Sequence, residues 1–543
     1  MYPPRLLPFA LLVLLSLLAT AQTMVDQMDA LLAKQYPADG PGAAAIVAKA
    51  GKPIFRKAYG MADLERNVSM TPDHVFEIGS ITKQFSVVAI LMLMEQGKLS
   101  LEDPITKFVK DYPTHGHNIT VHHLLTHTSG IKSYTGMEKW TKLWRQDMTT
   151  EEMVNLFKNE PMDFAPGEQW SYNNSAYFLA GVVIEKASGM SYADFIRKHI
   201  FEPLKMNNSY YGSRSQIIKN RAMGYQRGEE YENAEYLSHT QPYSAGSLMS
   251  TVDDLLTWNN AVQSYKLVRK ESLDKAYTNY RLNNGKETNY GYGWGLNDIN
   301  GSPTREHSGG IFGYTTNGIY LPNEDVYVAV LTNCDCNPPG EVSTKVAALA
   351  IGKPYPEAVA KVKLDDDYAV SLTGVYDFDD GSTRIITYED GKLYSQRSGG
   401  SRFEIFAQDK TTFAFAGFAT ITFTRDKKGK AEAVFKNRID VTKGIKTDKP
   451  IPKHVEIYLD DSTLKKYAGV YELQPGFDLT ITLEEGRLMS QATGQQKVEL
   501  FPESPTKFFL KVVDAQLEFI SEEGKFNKLI LYQGGREIEG KRK

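Results

Sequence analysis

The last third of the chain repeats itself at a fixed offset of 95 residues, which requires two copies of one small fold standing in tandem. Gly374-Val375-Tyr376 matches Gly469-Val470-Tyr471, and Gly391-Lys392-Leu393 matches Gly486-Arg487-Leu488. Ser395-Gln396 matches Ser490-Gln491, Glu404-Ile405-Phe406 matches Glu499-Leu500-Phe501, and Gly429-Lys430 matches Gly524-Lys525. Each copy alternates apolar and polar residues in short runs broken by polar turns, as a closed or half-closed antiparallel barrel does. The copies are expected at residues 365–446 and 460–543, around the polar, proline-containing Thr447–His454 segment. Neither carries a convincing cluster of acid, base and nucleophile.

The 543 residues exceed what one core accommodates. From about Val25 to Ile351 helical and strand patterns mix. Ala44–Ala50 and Pro53–Arg56 around Gly51-Lys52 read as a strand hairpin, as do Gly318–Leu321 and Val326–Leu331 around Pro322–Asp325. Helical stretches such as Gln84–Gln96 and Ser175–Ser188 lie between them. Strands at both ends with helices between predict an α+β or three-layer domain over residues 22–355, closed by Gly352-Lys353-Pro354-Tyr355-Pro356.

Arg5, the apolar run Leu6–Leu18 and Ala19-Thr20-Ala21 have the layout of a signal peptide over residues 1–21. The run is short for a membrane span, and no later segment reaches about 18 apolar residues. The expected mature protein therefore starts near Gln22, periplasmic or secreted, with no membrane span after cleavage. A net charge of −4 argues against a nucleic-acid or anionic-membrane surface. The basic clusters Lys427-Lys428-Gly429-Lys430 and Lys541-Arg542-Lys543 read as a solvated turn and a tail. Cys334 and Cys336 are one residue apart, a loop over which disulfides are seldom seen.

The chemistry concentrates in three places. Ser80-Ile81-Thr82-Lys83 is an S-x-x-K tetrad, one of five; the others begin at Ser129, Ser272, Ser462 and Ser504. Only Ser80 follows Phe76-Glu77-Ile78-Gly79 and opens a run with Phe85, Val88, Leu91 and Met92 at helical spacing. Residues three apart share a helix face, so Lys83 can reach the Ser80 hydroxyl, and a helix start offers N–H groups and a positive dipole to an oxyanion. A serine needs a base to become a nucleophile, and lysine serves only where burial favours the neutral amine. The plainer reading of the tetrad is an N-cap serine with an exposed lysine.

Tyr172-Asn173-Asn174 follows Phe164-Ala165-Pro166-Gly167-Glu168-Gln169-Trp170 and precedes a helical stretch. Beside cationic groups the phenol can pass a proton to a leaving group, and the Asn174 amide can hold both lysine and substrate. In isolation it also reads as a structural tyrosine in a turn. His307-Ser308-Gly309-Gly310 is the third place, just before the second strand pair, where glycines let a substrate backbone approach. The N–H groups of Gly310 and Ser80 can form an oxyanion hole, each donor lowering the barrier by roughly 3–4 kcal/mol.

In this order, Ser80/Lys83, Tyr172/Asn174 and His307/Gly309 resemble the S-x-x-K, Y-x-N and [KH]-[ST]-G motifs of the serine penicillin-recognising hydrolases. That family includes class C β-lactamases, D,D-carboxypeptidases, D-aminopeptidases and related esterases. Leu124-Leu125-Thr126-His127-Thr128-Ser129-Gly130, Ala245-Gly246-Ser247-Leu248 and Asp254-Leu255 add to the likeness, which covers roughly Val25–Ile351. It implies a class C β-lactamase-like transpeptidase fold, an antiparallel sheet flanked by helices. It also implies an acyl-enzyme at Ser80, with Lys83, Tyr172, Asn174 and His307 catalytic and Gly309 and Gly310 beside the substrate. Histidine in the third motif is common in the esterase and D-aminopeptidase branches, and the two barrels resemble the lipocalin-like appendages of a D-aminopeptidase. Asn173 stands where serine is frequent, the position with the least chemical constraint. The five histidines from His115 to His127 stand as they do in relatives that need no metal, so no metal or cofactor is expected.

The expected substrate is a small molecule or peptide, with D-residues or an unblocked amino terminus. Two alternatives remain: a carboxylesterase of the same fold, and a non-catalytic penicillin-binding-like sensor. No coiled-coil pattern bears on the oligomeric state.

Overall fold

The computed structural model describes residues 24–543 apart from 214, 426–428, 453, 475, 523 and 535. The expected signal peptide (residues 1–21) and Lys427-Lys428 lie outside the described residues. The chain divides into two compact units, Met1–Pro354 and Tyr355–Lys543.

The first unit is built on a six-stranded antiparallel sheet. Its spatial order is Gly295–Ile299, Ser302–Ile311, Tyr314–Leu321, Val326–Thr332, Ala43–Lys49, Lys52–Tyr59. Both hairpins read from the sequence are present, and Ala43–Lys49 pairs directly with Val326–Thr332, Val47 opposite Val328. Every residue of Val326–Thr332 is buried, the mark of a strand covered on both faces. Helices Val252–Gln263 and Gly340–Ala350 pack against it. The strong helical run is the helix Thr82–Glu95, preceded by a 3₁₀ turn over Gly79–Ile81. It is buried almost all round, as a helix through the middle of a core must be. Beside it runs Asn174–Ser188, which ends on Gly189 at φ +73°.

The second unit contains two closed barrels of eight described strands each, spanning Gly374–Lys446 and Gly469–Arg542. The repeat persists in fine detail. Asp365 and Asp460 each cap a short helix. Tyr376 donates its O–H to Leu372 O, and Tyr471 does the same to Tyr467 O, both at 2.9 Å. Asp390-Gly391 and Glu485-Gly486 turn the equivalent hairpins with both residues at positive φ, a type I′ turn. Tyr376, Ile386, Leu393, Ile405 and Phe413 fill one interior; Tyr471, Ile481, Leu488, Leu500 and Phe508 fill the other.

Candidate active site

Ser80 is positioned by glycines. Gly79 takes φ +51°, and a Cβ there would stand 2.9 Å from Gly310 N. A Cβ on Gly309 would stand 2.1 Å from Ile78 O and 2.3 Å from Thr316 Oγ1. Bare backbone on both sides therefore lets the Ser80 turn press against the strand Ser302–Ile311. Thr316 Oγ1 donates to Ile78 O at 3.0 Å, and Ile78 N to Leu248 O at 3.0 Å, tying the turn to its neighbours.

Lys83 is completely buried, with Nζ 3.1 Å from Ser80 Oγ, 2.9 Å from Asn174 Oδ1 and 2.9 Å from Ala245 O. Burial pushes its pKa well below the ordinary lysine value. A neutral amine has two N–H donors and one lone pair. In that form Asn174 Oδ1 and Ala245 O can accept the two N–H bonds, which leaves the lone pair for the Ser80 hydroxyl. Of the other S-x-x-K copies, Lys132 is turned to Asp163 in a 2.7 Å salt bridge.

Tyr172 stands across the site, its ring centroid 4.7 Å from Lys83 Nζ and 36% of its surface open. Burial raises the phenol above its ordinary value, partly offset by a hydrogen bond with Ser80. The group is thus a neutral proton donor. Asn174 opens its helix, and its Nδ2 donates to Thr135 Oγ1 at 3.2 Å. The supposedly unconstrained Asn173 is buried: it caps the helix by accepting from Ala176 N at 2.9 Å, and its Nδ2 bonds Ile131 O.

His307 lies 6.1 Å from Tyr172, ring to ring. Its Nδ1 is 2.5 Å from Ser308 O, an acceptor, so Nδ1 carries the proton and Nε2 accepts from Tyr290 O–H at 2.9 Å. Burial lowers its pKa to about 3, and a proton on the nearby Lys83 acts in the same direction. His307 therefore shapes the site as a neutral ring.

Three residues that the motifs did not single out for the site belong to it. Tyr290 bonds His307. His127, at φ +59°, packs its ring 4.4 Å from Tyr172 and accepts from Asn173 N at 3.0 Å. Its family-like flank was visible, but its fully buried place under Tyr172 was not. Asp335 lines the cavity that also holds Ser80, Asn174 and Gly310, a space of about 320 Å³. It projects between Cys334 and Cys336, which are joined in a disulfide. That pairing corrects the expectation from spacing: the turn at Asp335 leaves the two Cα atoms 5.1 Å apart, within bonding reach.

Three of the five crowded histidines have separate partners, His127 as above. His123 Nδ1 accepts from Thr120 N, and His122 Nδ1 is 2.8 Å from Tyr292 OH. Among the described residues no three histidine, cysteine or acidic side chains converge.

A buried lysine on a serine, with tyrosine and asparagine around it and a glycine-bearing strand alongside, on a sheet flanked by helices, defines a serine penicillin-recognising hydrolase fold. Comparison with known proteins agrees. The chain belongs to the Beta-lactamase family, whose pattern matches residues 29–353. Residues 453–542 match a Domain of unknown function (DUF3471), which takes in the second barrel. Over 522 residues the chain is 27% identical to Penicillin-binding protein 4* of Bacillus subtilis, covering 92% of this chain and 94% of that one. The octameric penicillin-binding protein homologue from Pyrococcus abyssi is 27% identical, with a TM-score of 0.55 over 78% of this chain and 99% of that one. A D-stereospecific amidohydrolase from Streptomyces is 25% identical, with a TM-score of 0.50 over 61% of this chain and 97% of that one.

Proposed function

We propose that the chain is an exported serine hydrolase that forms an acyl-enzyme at Ser80 and cleaves amide bonds in small or D-residue-containing peptides. The observation that carries this reading is the fully buried Lys83 amine, 3.1 Å from Ser80 Oγ and held by Asn174 Oδ1 and Ala245 O. As Oγ attacks the substrate carbonyl carbon, its proton passes to Lys83 Nζ and the carbonyl electrons move onto oxygen. The backbone N–H groups of Ser80 and Gly310 receive that oxyanion. Collapse re-forms the carbonyl, breaks the bond to nitrogen and gives the leaving amine the proton of Tyr172, which Lys83 replenishes. Water then repeats the sequence on the acyl-serine and frees the acid. His307 and Tyr290 are positioning residues here, because both ring nitrogens of His307 are already engaged.

The likeness to a D-stereospecific amidohydrolase from Streptomyces supports an amide substrate with a D-residue over a simple ester. Export rests on the Arg5 to Ala21 sequence, and a disulfide at Cys334–Cys336 suits an oxidising compartment.

The test is hydrolysis of matched D-alanyl and L-alanyl anilides and a short nitrophenyl ester, with Ser80→Ala as control. Ser80-dependent cleavage favouring the D-anilide is expected. Ester turnover without anilide cleavage moves the reading to a carboxylesterase, and the absence of any Ser80 acylation leaves a binding protein.

A further inference from the structure

The cavity beside Ser80 has a sidedness that the reaction defines. The leaving group must depart toward its proton donor, Tyr172. Tyr172 and His307 are absent from the walls of the 320 Å³ cavity, which lies between Asn174 and the strand edge Gly310–Phe312. The cavity is therefore the place for the acyl portion. Its far walls are aromatic: Trp140 and Phe312 line it, and Trp144 packs edge-on against Phe312 at 5.0 Å.

Asp335 is the one lining residue that carries a formal charge. It is exposed, at the rim of the cleft. Its carboxylate accepts Gly313 N at 3.2 Å, which uses one of its several lone-pair sites. Among the described residues it forms no salt bridge with a lysine, arginine or histidine. The backbone that carries it is anchored: Asp335 N donates to Tyr225 O at 3.2 Å, Cys334 O accepts from Thr315 Oγ1 at 2.8 Å, and the disulfide closes the loop on either side. A carboxylate on an anchored loop, sharing a cavity with aromatic side chains, is the arrangement that selects an ammonium group over a neutral one.

We infer that Asp335 recognises a primary ammonium group on the acyl portion of the substrate, making it a specificity-determining residue. The inference rests on the Ser80 acyl-enzyme reading above. The ammonium is either the α-amino group of an unblocked amino terminus or the end of a lysine-like side chain. Asn at this position keeps an acceptor for Gly313 N and removes only the charge.

The experiment measures kcat/KM of the full chain and of Asp335→Asn on three nitrophenyl esters: D-alanyl, N-acetyl-D-alanyl and Nα-acetyl-D-lysyl. Ser80→Ala is run beside them. The wild type should prefer at least one cationic ester to the neutral one. Asp335→Asn should cut that preference, read as the ratio of cationic to neutral ester, about tenfold or more. Which cationic ester responds identifies the ammonium. The same preference in both proteins, with turnover dependent on Ser80, overturns the role of Asp335 alone. Turnover that survives in Ser80→Ala overturns the acyl-enzyme reading and the inference with it.

Discussion

Tyr290 holds His307 in one tautomer: its O–H reaches Nε2 at 2.9 Å while Nδ1 of the same ring is spent on Ser308 O. The imidazole is neutral and buried, and it has a titration signature. The unfolded chain protonates this ring near 6.5 and the folded protein only near 3. Between those values the unfolded state binds more protons, so the stabilisation is complete above pH 6.5 and is lost as pH falls toward 3. The slope for one such group approaches about 1.4 kcal/mol per pH unit. His123, lowered to about 4 by burial, adds in the same direction. Thermal unfolding midpoints from pH 7 to pH 4 should fall, and His307→Gln should show a shallower fall. Parallel curves for the two proteins would contradict the assignment.

Lys83 should set the acid limb of the pH–rate profile. Burial lowers its pKa, so the reactive free amine is present well below the ordinary lysine range, and kcat/KM should rise through that lowered pKa. Lys83→Ala should slow Ser80 acylation roughly 10²–10⁴-fold. Lys83→Arg should not rescue it, because a guanidinium keeps its proton. Mass spectrometry of Ser80 after a fluorophosphonate pulse reads the rate; normal labelling in either variant sinks the base assignment.

Removing the Tyr172 hydroxyl should separate two substrates. An anilide leaves as an amine that needs a proton, whereas nitrophenoxide leaves without one. Tyr172→Phe is expected to lose about 10²-fold or more on the anilide and far less on the ester. Equal losses on both would assign the phenol to acylation instead.

Gly309 and Gly310 are adjacent but should differ as alanines. At Gly309 the new methyl would meet Ile78 O at 2.1 Å, and at Gly310 it meets nothing within 4 Å. Gly309→Ala should destabilise the first unit by about 1–3 kcal/mol and displace the Ser80 turn. Gly310→Ala should unfold like the wild type. Calorimetry compares them, and equal midpoints would refute the close approach.

The fold was legible where the chain carries periodic patterns. The run after Ser80 gave the central helix, the two strand pairs gave most of the sheet, and the 95-residue offset gave both barrels down to Tyr376 and Tyr471. Ser80, Lys83, Tyr172 and Asn174 were legible because flanks separated them from their copies, and the structure brings all four together. What remained hidden depends on contacts between distant segments. No local pattern places Tyr290 on His307 or His127 under Tyr172. Asn173 looked free because its cap and its bond to Ile131 become visible only when the helix start meets the loop. Spacing argued against the cysteine pair, since it holds no information on how far the Asp335 turn folds back.

The pairing of Ala43–Lys49 with Val326–Thr332 has a consequence for how the protein is made. The first hairpin leaves the ribosome with an apolar strand, Ala-Ala-Ala-Ile-Val-Ala, whose partner has yet to be translated. At roughly 5–20 residues per second that partner follows tens of seconds later. Until then the nascent strand is an open template for the wrong neighbour, and the sheet beside the catalytic serine cannot be completed on an unfinished chain.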